Sequence, residues 1–168
     1  GYMGGKNLLT YKNSCSSNPI NFPTMTITSS TVNDGQTSND ASISLTFTSS
    51  AATTDFVKED ITITNGSGTI SNFATTSSSV YTATFTPSTP GATTIKVDAN
   101  TYTDAIGNNN LVSNEFNWTY NNTQPTMTIT SSTVNDGQTS NDASISLTFT
   151  SSAATTDFVE GDITVTNG

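Results

Sequence analysis

A stretch of 35 residues occurs twice in this chain without a single change. From Pro23 to Val57 the sequence reads PTMTITSSTVNDGQTSNDASISLTFTSSAATTDFV, and the same letters run from Pro125 to Val159, an offset of 102 residues. Beyond it KEDITITNG becomes EGDITVTNG, so Lys58, Glu59 and Ile63 correspond to Glu160, Gly161 and Val165. Solenoid units run about 20 to 45 residues, whereas a single sandwich domain takes about 100. The period therefore counts domains. It divides the chain into a leader (1–22), one repeat (23–124) and the N-terminal part of a second (125–168). The first copy continues through strand-like sequence that the second does not reach, and a sandwich without those strands would expose open sheet edges. The expectation is that the chain belongs to a longer polypeptide.

Within the repeat, apolar residues alternate with Thr or Ser, the pattern of an antiparallel strand with one buried face. Thr and Ser make up about a third of the chain and Thr favours strands, so an apolar share of 32% does not signal disorder. Seven strands are expected. They are marked by Met25 and Ile27; Ile43, Leu45 and Phe47; Ile61 and Ile63; Ile70 and Phe73; Tyr81, Ala83 and Phe85; Ile95, Val97 and Ala99; and Phe116, Trp118 and Tyr120. Turn residues such as Asn65-Gly66 and the Pro87, Pro90, Gly91 cluster separate them. This is an all-β chain of two antiparallel sheets face to face, burying Ile27, Leu45, Phe47, Ile63, Phe85, Val97 and Trp118. YNNTQP, Tyr120 to Pro125, is a short linker into the next copy. In the leader, Leu9 to Asn13 echoes Trp118 to Asn122 and could close a preceding domain.

Several function classes are excluded. The net charge is −9 with four Lys and no Arg, so a phosphate backbone would be repelled. No run of about 18 apolar residues is present to span a membrane. Without His or Arg, neither an imidazole base nor a guanidinium clamp can be assembled, and a narrow sandwich offers no cleft for a carboxylate pair. Cys15 is the only cysteine, which rules out an intrachain disulfide and, with no His, a zinc site. Three Asn-X-Ser/Thr sequences, at Asn65, Asn117 and Asn121, arise easily in a Thr-rich chain. Trp118, at period two with Phe116 and Tyr120, reads as core rather than as a sugar-stacking platform.

The runs Phe56 to Gly66 (FVKEDITITNG), Tyr81 to Pro87 (YTATFTP) and Tyr102 to Asn108 (YTDAIGN) resemble the bacterial immunoglobulin-like domain found in arrays in large bacterial adhesins and some phage structural proteins. The resemblance spans 23–124 and 125–168. It implies an immunoglobulin-like antiparallel β-sandwich in tandem repeats of 102 residues, a non-enzymatic stalk with ligand binding left to other domains, and frequent stiffening by calcium near domain junctions.

Calcium takes carboxylate and carbonyl oxygens, and this chain supplies candidates. Asp104 and Asn108 flank a turn Gly in the loop before the seventh strand, Asp34 and Asp40 lie between the first and second strands, and Asp55 and Asp60 lie around the third. The competing reading is that each is a turn residue bonding its own backbone. By the resemblance, Asp34 and Asp40 approach Asp157 of the following copy, and Asp104 and Asn108 form the equivalent pole toward the leader. The linker, Asn121 to Pro125, lacks the carboxylate that relatives often carry there.

The function expected is a rigid spacer in a long protein of the cell or virion surface, whose partners are neighbouring repeats of the same chain, with host contact through other domains. Two alternatives are a module whose loops bind a host surface, and a filament or virion-fibre subunit in which identical chains assemble through β-strand contacts and the second copy accepts a strand.

Overall fold

The computed structural model describes residues 21–166, so the leader echo at Leu9 to Asn13 and Cys15 lie outside the described residues. The chain divides into a first unit ending at Asn121 and a second beginning at Asn122.

Eight strands build the first unit: β1 (Met25–Ser29), β2 (Gln36–Ser38), β3 (Ile43–Ser49), β4 (Ile61–Thr64), β5 (Gly68–Ser77), β6 (Val80–Pro87), β7 (Gly91–Val97) and β8 (Phe116–Tyr120). One sheet has the order β1-β3-β6-β5 and the other β2-β8-β7-β4. The only helical elements among the described residues are 3-10 turns at Lys58–Asp60 and Glu160–Asp162. All seven expected strands are present, with two corrections. Gln36–Ser38 is an eighth strand and pairs with β8 in parallel, Gln36 opposite Trp118, so the sandwich is not wholly antiparallel. Three polar residues carry no hydrophobic alternation, which is why sequence alone gives no sign of it. Ala99 lies outside its expected strand, because the chain turns after Val97 and Asn100 takes a positive φ of 64°.

Alternation places Met25, Ile27, Ile43, Leu45, Phe47, Tyr81 and Phe85 of one sheet against Ile95, Val97, Phe116 and Trp118 of the other. Of the seven residues expected in the core, six are buried; Ile63 is half-buried because β4 is an edge strand with a single neighbour, β7. Phe56 and Tyr102, which lie in no strand, complete the core. Phe56 packs against Phe47, Phe73, Tyr81 and Tyr102 at ring centroid distances of 5.0 to 5.7 Å, the nearest being Tyr81 at 5.0 Å.

Between β7 and β8 the chain is held by two side-chain amides, the buried Asn110 and the exposed Asn114. Asn110 Oδ1 accepts from the Thr101 and Tyr102 N–H groups (2.8 and 3.0 Å), and its Nδ2 donates to the Asp98 and Leu111 carbonyls. Asn114 acts on β1 as a strand would: Oδ1 accepts from Ile27 N at 2.7 Å and Nδ2 donates to Ile27 O at 3.1 Å. This engages the outward backbone groups of Ile27 on an edge strand, groups that would otherwise be free to pair with other chains.

In the second unit, β9 (Met127–Ser131) pairs antiparallel with β10 (Leu147–Ser151). Its register reproduces that of β1 and β3 at the offset of the sequence repeat: Met127 faces Ser151 as Met25 faces Ser49.

Candidate functional site

The loops following β3 and β7 meet at the pole of the first unit where β1 begins, joined by Ala105 N donating to Ala52 O (3.2 Å) and Leu111 N to Pro23 O (2.8 Å). Asp55 lies at their centre. Its Oδ1 accepts from the Thr53 hydroxyl (2.7 Å) and Thr103 N (3.0 Å), and its Oδ2 from the Thr103 hydroxyl (2.8 Å). Desolvation pushes this carboxyl upward, but the bonds from Thr53 and Thr103 outweigh it and hold Asp55 below the ordinary aspartate value. Beneath it, Tyr81 Oη donates to Thr53 O at 2.9 Å, and the Tyr102 hydroxyl shares a 3.2 Å hydrogen bond with Ser49.

The structure brings Asp104 and Asn108 together, as the sequence suggests. Asp104 Oδ1 accepts from Ile106 N (3.0 Å) and Asn108 N (2.9 Å), and Oδ2 accepts from Asn108 Nδ2 (2.9 Å). The backbone bond from Asn108 is the main reason that the Asp104 carboxyl is held below its ordinary value. A carboxylate surrounded by N–H donors in this way serves as the template of its own turn, and Gly107 supplies the positive φ of 91° that the turn needs.

The other candidate ligands lie elsewhere. Asp34 is exposed and binds β8, its Oδ1 accepting from Asn117 N at 2.7 Å. Asp40 lies two residues beyond Ser38, whose carbonyl accepts from Asn121 N just past the end of β8. Asp157 belongs to the second unit, where it accepts the Thr155 hydroxyl. Among the described residues, no three acidic, His or Cys side chains converge on a point where they could hold a metal. Asp104 is engaged by the N–H donors of its own turn. Trp118 is buried, edge-on to Phe85 at 6.2 Å, with Nε1 donating to the Ser38 hydroxyl at 3.0 Å, so it presents no face to a sugar.

Asn110 and Asn114 escaped the sequence reading, and Asp55 entered it only as a turn residue or calcium ligand, not as the anchor of Thr103. Asp55 finds Thr103 across 48 residues, and no local pattern encodes such a contact.

The profile of the bacterial Ig-like domain matches residues 20–120, more than half of the chain. The chain belongs to that family. No curated protein and no solved structure matches it. Bacterial Ig-like domains are structural modules, often of extracellular surface proteins, and the polar residues of this one agree with that character: Asp34, Asp55 and Asp104 spend their oxygens on the protein's own N–H and O–H groups. Among the described residues no helix is long and apolar enough to cross a membrane.

Proposed function

We propose that this chain is part of a tandem array of bacterial Ig-like domains that acts as a rigid, non-enzymatic spacer in an extracellular protein of a cell or virion surface. One observation carries the reading: 35 residues recur unchanged, loops included, at an offset of one domain length. A spacer works by number, so its copies are interchangeable, whereas a recognition surface is a property of one specialised copy. The amide clamps of Asn110 and Asn114 and the Asp55 anchor support rigidity, since they fix the long connections at both sheets.

The test is to express arrays of one, two and four complete repeats and measure their maximum dimension by small-angle scattering. A spacer lengthens by a constant increment per repeat. Arrays that fold back on themselves, so that length does not grow with copy number, would sink the idea. Binding of a single repeat to host cells would instead favour the recognition-module alternative.

A further inference from the structure

The dipeptide Asn-Gly occurs at Asn65-Gly66 and again one period later at Asn167-Gly168, the second lying outside the described residues. Asn65 and Gly66 form the exposed turn between β4 and β5. Asn65 takes a positive φ of 57°, a conformation that asparagine tolerates better than most side chains, and a Cβ at Gly66 would lie 2.5 Å from Thr93 Oγ1 and 2.7 Å from Ala92 O. The fold therefore holds this pair to its identities. Asn65 is also the first member of a line of hydrogen bonds across the second sheet, on the face away from Ile95 and Trp118. Its Nδ2 donates to Thr94 Oγ1 (3.1 Å), that hydroxyl donates to Asn117 Oδ1 (2.9 Å), and Asn117 Nδ2 and N donate to Asp34 Oδ1 (3.4 and 2.7 Å). Thr94 is 5% exposed, so water has little access to replace a partner lost there.

The line runs in one direction only. The Asp34 carboxylate accepts and does not donate, so Asn117 turns Nδ2 toward it and Oδ1 toward Thr94; the Thr94 hydroxyl spends its single proton on that oxygen, and its other partner must be a donor. Asn65 Nδ2 is that donor. We propose that Asn65 is a site of spontaneous deamidation, and that the change puts an acceptor where this line requires a donor, loosening Asn117 and Asp34 two strands away. The chemistry needs only water. Gly66 N attacks Asn65 Cγ to close a five-membered succinimide; the Cγ–Nδ2 bond breaks, and the amide leaves as ammonia with the proton of Gly66 N. Water then opens the ring. Cleavage between Cγ and Gly66 N gives aspartate at position 65, and cleavage between the Asn65 main-chain carbonyl carbon and Gly66 N gives an isoaspartyl link that runs through Cγ. Gly66 has no side chain to hinder ring closure, and both residues are open to solvent. With aspartate at this position, either its carboxylate faces the Thr94 lone pairs, or the hydroxyl turns toward it and leaves Asn117 Oδ1 without a donor.

The whole 168-residue chain, incubated at mildly alkaline pH and then digested with trypsin, tests the site, because cleavage after Lys58 and Lys96 puts Asn65 on residues 59–96 and Asn167 on residues 97–168. Mass spectrometry should find NH2 replaced by OH at Asn65 before any other asparagine of the described residues, in separable aspartyl and isoaspartyl peptides. Asn65→Asp tests the consequence without the isoaspartyl product. Exchange of the Asn117 amide, followed by NMR, should be about tenfold faster in that variant than in the parent, while the amides of Leu45 and Phe47 keep their rates. Asn65→Gly suits the positive φ and removes the donor without adding an acceptor, so it should leave the Asn117 amide close to the parent's rate. Conversion of other described asparagines while Asn65 stays intact overturns the site. An Asn117 amide that exchanges alike in the parent and Asn65→Asp, or equally fast in Asn65→Asp and Asn65→Gly, overturns the reversal of the line.

Discussion

At the residue scale, the acids of this protein hold loops in place. Asp55→Ala leaves Thr103 N–H and Oγ–H without their acceptor, and because the site is partly solvated the expected loss is about 1 kcal/mol, measured by urea unfolding of the first unit. Asp55 and Asp104 are both held below 3.8, so their contribution is complete at neutral pH and is lost as the pH falls below about that value, when the folded state must take up protons. Asp60 acts in the opposite sense: burial raises its carboxyl, so its protonation on acidification relieves a cost. Unfolding free energy measured from pH 6 to pH 2.5 should decline at the acid end, and Asp55→Asn should flatten that decline; an unchanged profile would remove Asp55 from this role. Phe47 offers a second check with an internal control. Phe47→Ala should cost about 3 to 5 kcal/mol, as for a fully enclosed aromatic, whereas Phe149→Ala, at the identical but half-buried position, should cost much less.

At the scale of elements, alternation is sufficient to place β1, β3, β6, β7 and β8, since one face of each meets the core and period two decides which. β2 exists for another reason. It pairs with β8 because Trp118 Nε1 reaches the Ser38 hydroxyl and Gly35 N reaches Asn117 O, contacts across about eighty residues. Ser38→Ala removes the partner of a buried indole N–H and should destabilise the first unit by about 1 to 3 kcal/mol, with faster amide exchange at Thr37 and Ser38. β5 shows how close the packing is. A Cβ at Gly68 would lie 2.5 Å from Thr86 O and run into the Phe85 ring, so Gly68→Ala should cost about 1 to 3 kcal/mol by overpacking. Denaturant midpoints of these two variants equal to the parent's would contradict the contacts described.

At the scale of the whole molecule, the two units share a sequence and a strand register but differ in what covers them. Amide exchange should therefore be slow throughout β3 and fast along β10 in the chain alone. Calcium gives a further prediction. With no three acids converging among the described residues and Asp104 already surrounded by donors, millimolar Ca²⁺ should leave the Tm of the first unit equal to that in chelator. A ligand that binds the folded state must raise Tm, so a clear increase would instead support Asp34, Asp40, Asp104, Asn108 and Asp157 as ligands.

The sequence by itself determined the all-β class, the domain-length period, the seven strands with hydrophobic alternation and most of the core, and it marked Asp104 and Asn108 as residues of a turn. Each follows from local physics: period two selects a face, and a turn Asp bonds the backbone a few residues away. The tertiary structure alone decided the eighth strand, the parallel β2–β8 pair, the placing of Phe56 and Tyr102 at the centre of the core, and the anchoring of Asp55 to Thr103. Burial belongs to what lies opposite a residue, and for a strand in a sandwich that is supplied by a part of the chain far away in sequence.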